Sequence, residues 1–128
     1  MQVRKTTTFR DLRAWQAGMQ LVQTVYEFCA TLPSSERFGL SDQLRRAAVS
    51  VPANIAEGYG RGQSRDYLRF LSISLGSVRE TETLLLIAQR IPVGHAEALA
   101  VALDACTHTG RPLHALHRAI KKKLEPSS

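Results

Sequence analysis

Two cysteines, Cys29 and Cys106, are all the thiol chemistry in this chain of 128 residues. They form no Cys-x-x-Cys pair, so a zinc knuckle is excluded. Two are also too few for a disulfide framework. Both fall within apolar helical stripes and read as small buried thiols. No apolar run approaches the roughly 18 residues of a membrane span, so none is expected. Residues 1–8 carry charge but lead into no apolar run, which excludes a signal peptide and gives a cytoplasmic expectation. The chain holds no Glu-x-x-His pair of the kind that builds di-iron sites in bundles. It also has no phosphate loop, dinucleotide fingerprint, zinc finger or RNP strand. Sustained strand alternation, fixed-period repeats and low-complexity segments are absent as well. What remains is one small all-α domain with no cofactor expected.

Four segments carry the 3.6-residue period. Over residues 11–32, Leu12, Trp15, Met19, Val22, Tyr26 and Cys29 make one stripe. Leu21, Val25, Phe28 and Leu32 make a second beside it, wider together than one bundle seam needs. One stripe fills a bundle core, and the other is available to another subunit. Pro33 ends the segment. A second helix is expected to begin at Ser41 as N-cap. Its stripe is Leu40, Leu44, Ala48, Val51, Ile55 and Tyr59, with a kink near Val49 to Val51 imposed by Pro52 and an end at Gly58, Gly60 and Gly62. A third starts at Ser64 and stops before Pro92, with Leu68, Leu71, Leu75, Val78 and Leu85 in line and Glu82 on the same stripe. The fourth covers residues 95–124 through Leu99, Leu103, Cys106, Gly110, Leu113, His117, Ile120 and Leu124. Pro112 is expected to bend or break it. Short links between amphipathic helices give an antiparallel up-down-up-down four-helix bundle. The bundle occupies residues 9–124, between an arm at 1–8 and a mobile tail at 125–128.

Several phrases resemble the family of 23S rRNA intervening-sequence proteins, which includes the accessory variability determinant of diversity-generating retroelements. The matching phrases begin with Phe9-Arg10-Asp11-Leu12 with Trp15, and Gly39-Leu40-Ser41-Asp42-Gln43-Leu44-Arg45-Arg46-Ala47. They continue with Ser50-Val51-Pro52-Ala53-Asn54-Ile55-Ala56-Glu57-Gly58, Arg61, and Leu71 with Gly76-Ser77 and Glu80. The resemblance covers residues 9–91, and the fourth helix matches in pattern only. It implies a four-helix bundle, a homopentameric ring and no enzymatic activity. Retroelement members of the family bind a reverse transcriptase and nucleic acid through a basic surface. Pro112 departs from the family pattern and bears on the ring rather than on the bundle.

Seventeen Lys and Arg face 11 Asp and Glu, for a net charge of +6, and such a surplus suits polyanions. Arg45 and Arg46 are adjacent on the second helix. Arg61, Arg65 and Arg69 straddle the turn into the third, and Arg118, Lys121, Lys122 and Lys123 close the fourth. Arginine's planar fork matches phosphate, and a helix N-terminus adds a favourable dipole. These nine are the candidate nucleic-acid contacts, with Arg4 and Lys5 able to extend either surface. The competing reading spends one arginine of each pair on Glu57, Glu80 or Glu82, with Arg45 or Arg46 satisfying Glu82. Lys121, Lys122 and Lys123 then complement the helix dipole. Asn54 and Glu57 read as structural polar residues, Asn54 bonding a neighbouring helix and Glu57 an arginine. His114 and His117 share a helix face and would hold a metal only with Glu80 or Glu82. The expected partners are a second copy of the chain, RNA or DNA, and alternatively a protein such as a polymerase, with no membrane.

Overall fold

The apolar periodicity resolves into four helices: α1 (Arg13–Cys29), α2 (Leu40–Tyr59), α3 (Arg65–Arg90) and α4 (Ala96–Leu124). The computed structural model describes residues 8–36 and 39–126. Most of the expected arm, with Arg4 and Lys5, and the last two residues of the tail lie outside the described residues. Short 3₁₀ turns precede α1 (Phe9–Asp11) and α2 (Ser34–Glu36). Among the described residues there is no strand, and no helix is long and apolar enough to cross a membrane. α1 packs on α2 and α4, and α3 packs on the same two, while the diagonal pairs stay apart. This square arrangement follows from short links between consecutive antiparallel helices.

Of the two stripes on α1, the second enters the core. Leu21, Val25 and Phe28 are completely buried. Trp15 and Val22 are half-buried, while Met19 and Tyr26 remain 46% and 47% exposed. Gly18 lets α1 close onto α2, because a Cβ there would lie 3.3 Å from Val51 Cγ1 and 3.4 Å from Pro52 Cβ.

The start of α2 departs from expectation. Gly39, not Ser41, is the N-cap. Ser41 is buried in the first turn, and the Leu40 amide donates to Glu36 Oε1 at 3.5 Å. The Ser34–Glu36 turn carries that carboxylate to the helix end, where it meets an otherwise unpaired N–H and the positive dipole. The helix then runs unbroken through Pro52. Gly58 does not end it. It is a buried contact point, where a Cβ would lie 2.8 Å from Tyr67 Cδ1. Gly60 caps the helix with a right-handed φ of −67°, and the left-handed turn falls to Gly62 at φ +67°.

α3 starts as expected, with Ser64 Oγ accepting from the Tyr67 amide at 3.2 Å. Its buried face is rotated from the leucine stripe. Leu71, Val78 and Leu85 are buried, but Leu68 and Leu75 are only half-buried. Ser74, Ser77 and Thr81 enter the interior beside them. Ser74 Oγ donates to the Val51 carbonyl at 2.8 Å, and Ser77 Oγ donates to Ser50 Oγ at 2.8 Å. Thr81 Oγ1 donates to the Ser77 carbonyl at 2.8 Å. A seam of satisfied hydroxyls therefore runs between α2 and α3.

α4 is continuous through Pro112, so the expected break does not occur. The flanking turns are anchored. Leu113 is completely buried, and Thr109 Oγ1 shares its proton between the Ala105 carbonyl at 2.7 Å and the Ala17 carbonyl of α1 at 3.2 Å. Packing of this kind overrides a proline's local preference.

Candidate nucleic-acid interface

Alternating helix directions gather the start of α1, the end of α2, the start of α3 and the end of α4 at one pole. Leu12, Gly62, Gln63 and Lys123 line one cleft there. Ser72 Oγ lies 3.1 Å from His117 Nε2, joining α3 to α4 at the adjoining level. Two basic groups far apart in sequence thus share a pole: Arg61, Arg65 and Arg69 on one side, and Arg118, Lys121, Lys122 and Lys123 on the other. Arg45 and Arg46 lie on the first turns of α2 and so belong to the opposite pole.

The arginine group is largely neutralised by its own neighbours. Arg61 Nη2 is 3.1 Å from Glu57 Oε2, and its Nη1 is 2.9 Å from Asp66 Oδ2. Arg69 Nη2 is 3.0 Å from Asp66 Oδ1. The two guanidinium carbons sit 5.0 and 4.5 Å from the centroid of the Phe70 ring, close enough for cation–π attraction. Two arginines and two carboxylates therefore offset one another. Arg65, Arg118, Lys121, Lys122 and Lys123 are exposed, and among the described residues no salt bridge joins any of them to a carboxylate. The uncompensated charge at this pole lies mostly on the last turns of α4.

Glu57 pairs with an arginine as expected. Asn54 does not bond a neighbouring helix directly. Its Nδ2 donates to the Ser50 carbonyl and Ser50 Oγ, both at 2.8 Å on its own helix, and it reaches α3 only through Ser50 and Ser77. Glu80 is exposed and Glu82 half-buried. The expected pairing of Glu82 with Arg45 or Arg46 is not formed. Arg46 Nε instead lies 3.3 Å from Asp42 Oδ2, and Arg45 sits 5.8 Å over the Tyr26 ring. On α4, burial first and the Glu82 charge second push the Cys106 thiol up to about 12. Burial also raises the Cys29 thiol, so neither cysteine is a reactive thiolate.

His114 is exposed and His117 half-buried. Burial lowers the His117 pKa, and the nearby Lys121 and His114 lower it further. Among the described residues no group of three His, Cys, Asp or Glu side chains could hold a metal ion. Sequence reasoning missed the convergence of the two basic groups, because only the helix directions bring them together. It also missed the cleft between them, which brings together residues from all four helix ends.

A family model described as 23S rRNA-intervening sequence protein matches residues 10–115. Among solved structures, the chain is similar to a Bacteroides thetaiotaomicron protein of unknown function from the S23 ribosomal protein family. The identity is 24%, the TM-score is 0.70, and the match covers 82% of this chain and 98% of that one. The likeness is one of fold. No curated protein matches the chain.

Proposed function

Since the chain belongs to the 23S rRNA-intervening sequence protein family, we propose that it is a non-enzymatic, cytoplasmic accessory protein that self-associates and binds RNA or DNA. The observation that carries this reading is the uncompensated charge of Arg65, Arg118, Lys121, Lys122 and Lys123 at one pole of the bundle. The mode is electrostatic, with phosphates displacing counterions and little reading of base sequence. Fluorescence anisotropy with a structured RNA and a duplex DNA at two salt concentrations tests it. Affinity for the duplex DNA should fall with salt along a log–log slope of about −4.5, as five cations imply. Reversing Arg65 and Lys121 to Glu should flatten that slope. No binding at low salt would overturn the proposal.

A second reading makes the bundle a docking scaffold for a protein such as a polymerase. It is favoured by the apolar side chains left on the surface, with Met19 46%, Tyr26 47% and Val49 42% exposed. The same side chains support self-association, in the extreme as a pentameric ring. Light scattering that reports a monomer at micromolar concentration would remove the oligomer. A pull-down that recovers nothing but the chain itself would count against the scaffold.

A further inference from the structure

We propose that the cleft at the basic pole takes one nucleotide unit, an unstacked nucleobase carrying a phosphate, an inference that rests on the nucleic-acid reading above. Its volume of about 430 Å³ lies within the roughly 300–1,000 Å³ typical of small-ligand pockets. Tyr59, Tyr67, Leu116 and Ile120 supply apolar wall, and Gln63 and Lys123 supply polar groups. Pockets that bind small planar ligands have this make-up, mostly apolar surface with a few converging polar groups.

Tyr67 carries the argument furthest. It is only 4% exposed, and its ring meets Tyr59 edge-on at 6.4 Å. Among the described residues its hydroxyl has no hydrogen-bond partner, yet no buried polar side-chain atom is left without one. The hydroxyl therefore opens into the cleft that Tyr67 lines. A phenol with its ring buried and its hydroxyl open to the cleft, with no partner among the described residues, is a site for a polar atom of a guest, which would take the place of water there. Burial and the neighbouring Tyr59 raise its pKa to about 12, so near neutral pH it keeps its proton and can donate. A nucleobase offers the complementary surfaces. Its face stacks on an aromatic wall, and its edge atoms accept from a phenol or pair with an amide such as Gln63. The attached phosphate falls to Lys123. Bases within a duplex are stacked and paired and do not reach such a cleft, so the guest is a free nucleoside monophosphate or an unpaired residue of a strand.

Isothermal titration of the full chain separates these sources. The probes are adenosine and uridine monophosphates, inorganic phosphate, a short single-stranded RNA and a duplex of matched length. The variants are Tyr67→Phe, which removes an atom with no hydrogen-bond partner among the described residues, and Lys123→Gln on an exposed side chain. Preference for the single strand over the duplex, weakened about five- to tenfold by Tyr67→Phe as one hydrogen bond implies, supports the cleft with a strand as source. Lys123→Gln should weaken both nucleic acids and lower the salt slope by about one. Binding of a monophosphate, but not inorganic phosphate, that is lost in Tyr67→Phe supports the free nucleotide as source. Nucleic-acid binding that is the same for single strand and duplex and indifferent to Tyr67→Phe overturns the cleft and leaves the basic surface standing. No binding of any probe overturns both.

Discussion

Gly58 of α2 sits against α3, where a Cβ would lie 2.8 Å from Tyr67 Cδ1 and 2.9 Å from Phe70 Cβ. Alanine gains roughly 1 kcal/mol of helix propensity over glycine. Overpacking of a seated aromatic costs about 1–3 kcal/mol. The contact should win, so Gly58→Ala is expected to lower stability by up to about 2 kcal/mol, read from chemical denaturation. His117 gives a second residue-scale prediction. Its pKa is lowered from the ordinary 6.5, by burial first and then by Lys121 and His114. Below pH 6.5 the unfolded chain therefore binds more protons than the folded one, and stability rises with pH in that window. The contribution is complete above pH 6.5. It declines on acidification and stops changing once the pH is below the folded value. Thermal unfolding at intervals from pH 7.5 to 5 should show this, and His117→Gln should flatten that portion of the curve. The ring is only partly covered, so the effect is small. A slope unchanged by the substitution would assign it to another group.

At the scale of the helices, four were legible from spacing alone because apolar residues recur with the α-helical period over long stretches. Their phase was less legible. Leucine marked one edge of α3, while its buried centre includes Ser74, Ser77 and Thr81, which hydropathy places on the outside. Each has its hydroxyl satisfied by a carbonyl or by Ser50, and so the burial is not penalised. The N-cap of α2 was misplaced for a related reason. Ser41 is a good capping residue, but the carboxylate of Glu36 already reaches the helix end. Pro112 tests how far packing holds a helix against a local breaker. It supplies no N–H to its turn, and proline inside a helix costs about 3 kcal/mol relative to alanine. Pro112→Ala should restore that bond and, after loss of some ring contact, raise stability by about 1–2 kcal/mol. That corresponds to roughly 4–8 °C in Tm for a domain of this size. No gain would mean that the surrounding packing has already absorbed the missing bond.

For the whole molecule, what the sequence could not supply was distance. Arg61, Arg65 and Arg69 stand 52 to 62 residues from Lys121, Lys122 and Lys123, and only the alternation of four helices sets them at one pole. The division of that charge into compensated and uncompensated parts also needed coordinates, because Asp66 is next to Arg65 in sequence yet pairs with Arg61 and Arg69. Apolar excess on α1 was readable, and its use gives a prediction at this scale. Met19→Glu together with Val49→Glu should shift the chain to monomer in light scattering while leaving its helical circular dichroism intact. Unchanged particle mass would move the contact to another face. The seam of hydroxyls between α2 and α3 has one more consequence. Leucines tolerate sliding, since one apolar neighbour serves about as well as the next. A slide of one turn, about 5.4 Å, would separate Ser74 from the Val51 carbonyl and Ser77 from Ser50, leaving buried polar atoms unmatched. Alignment of the two helices along their axes is thus set by a few oxygen atoms, and the leucines supply the adhesion.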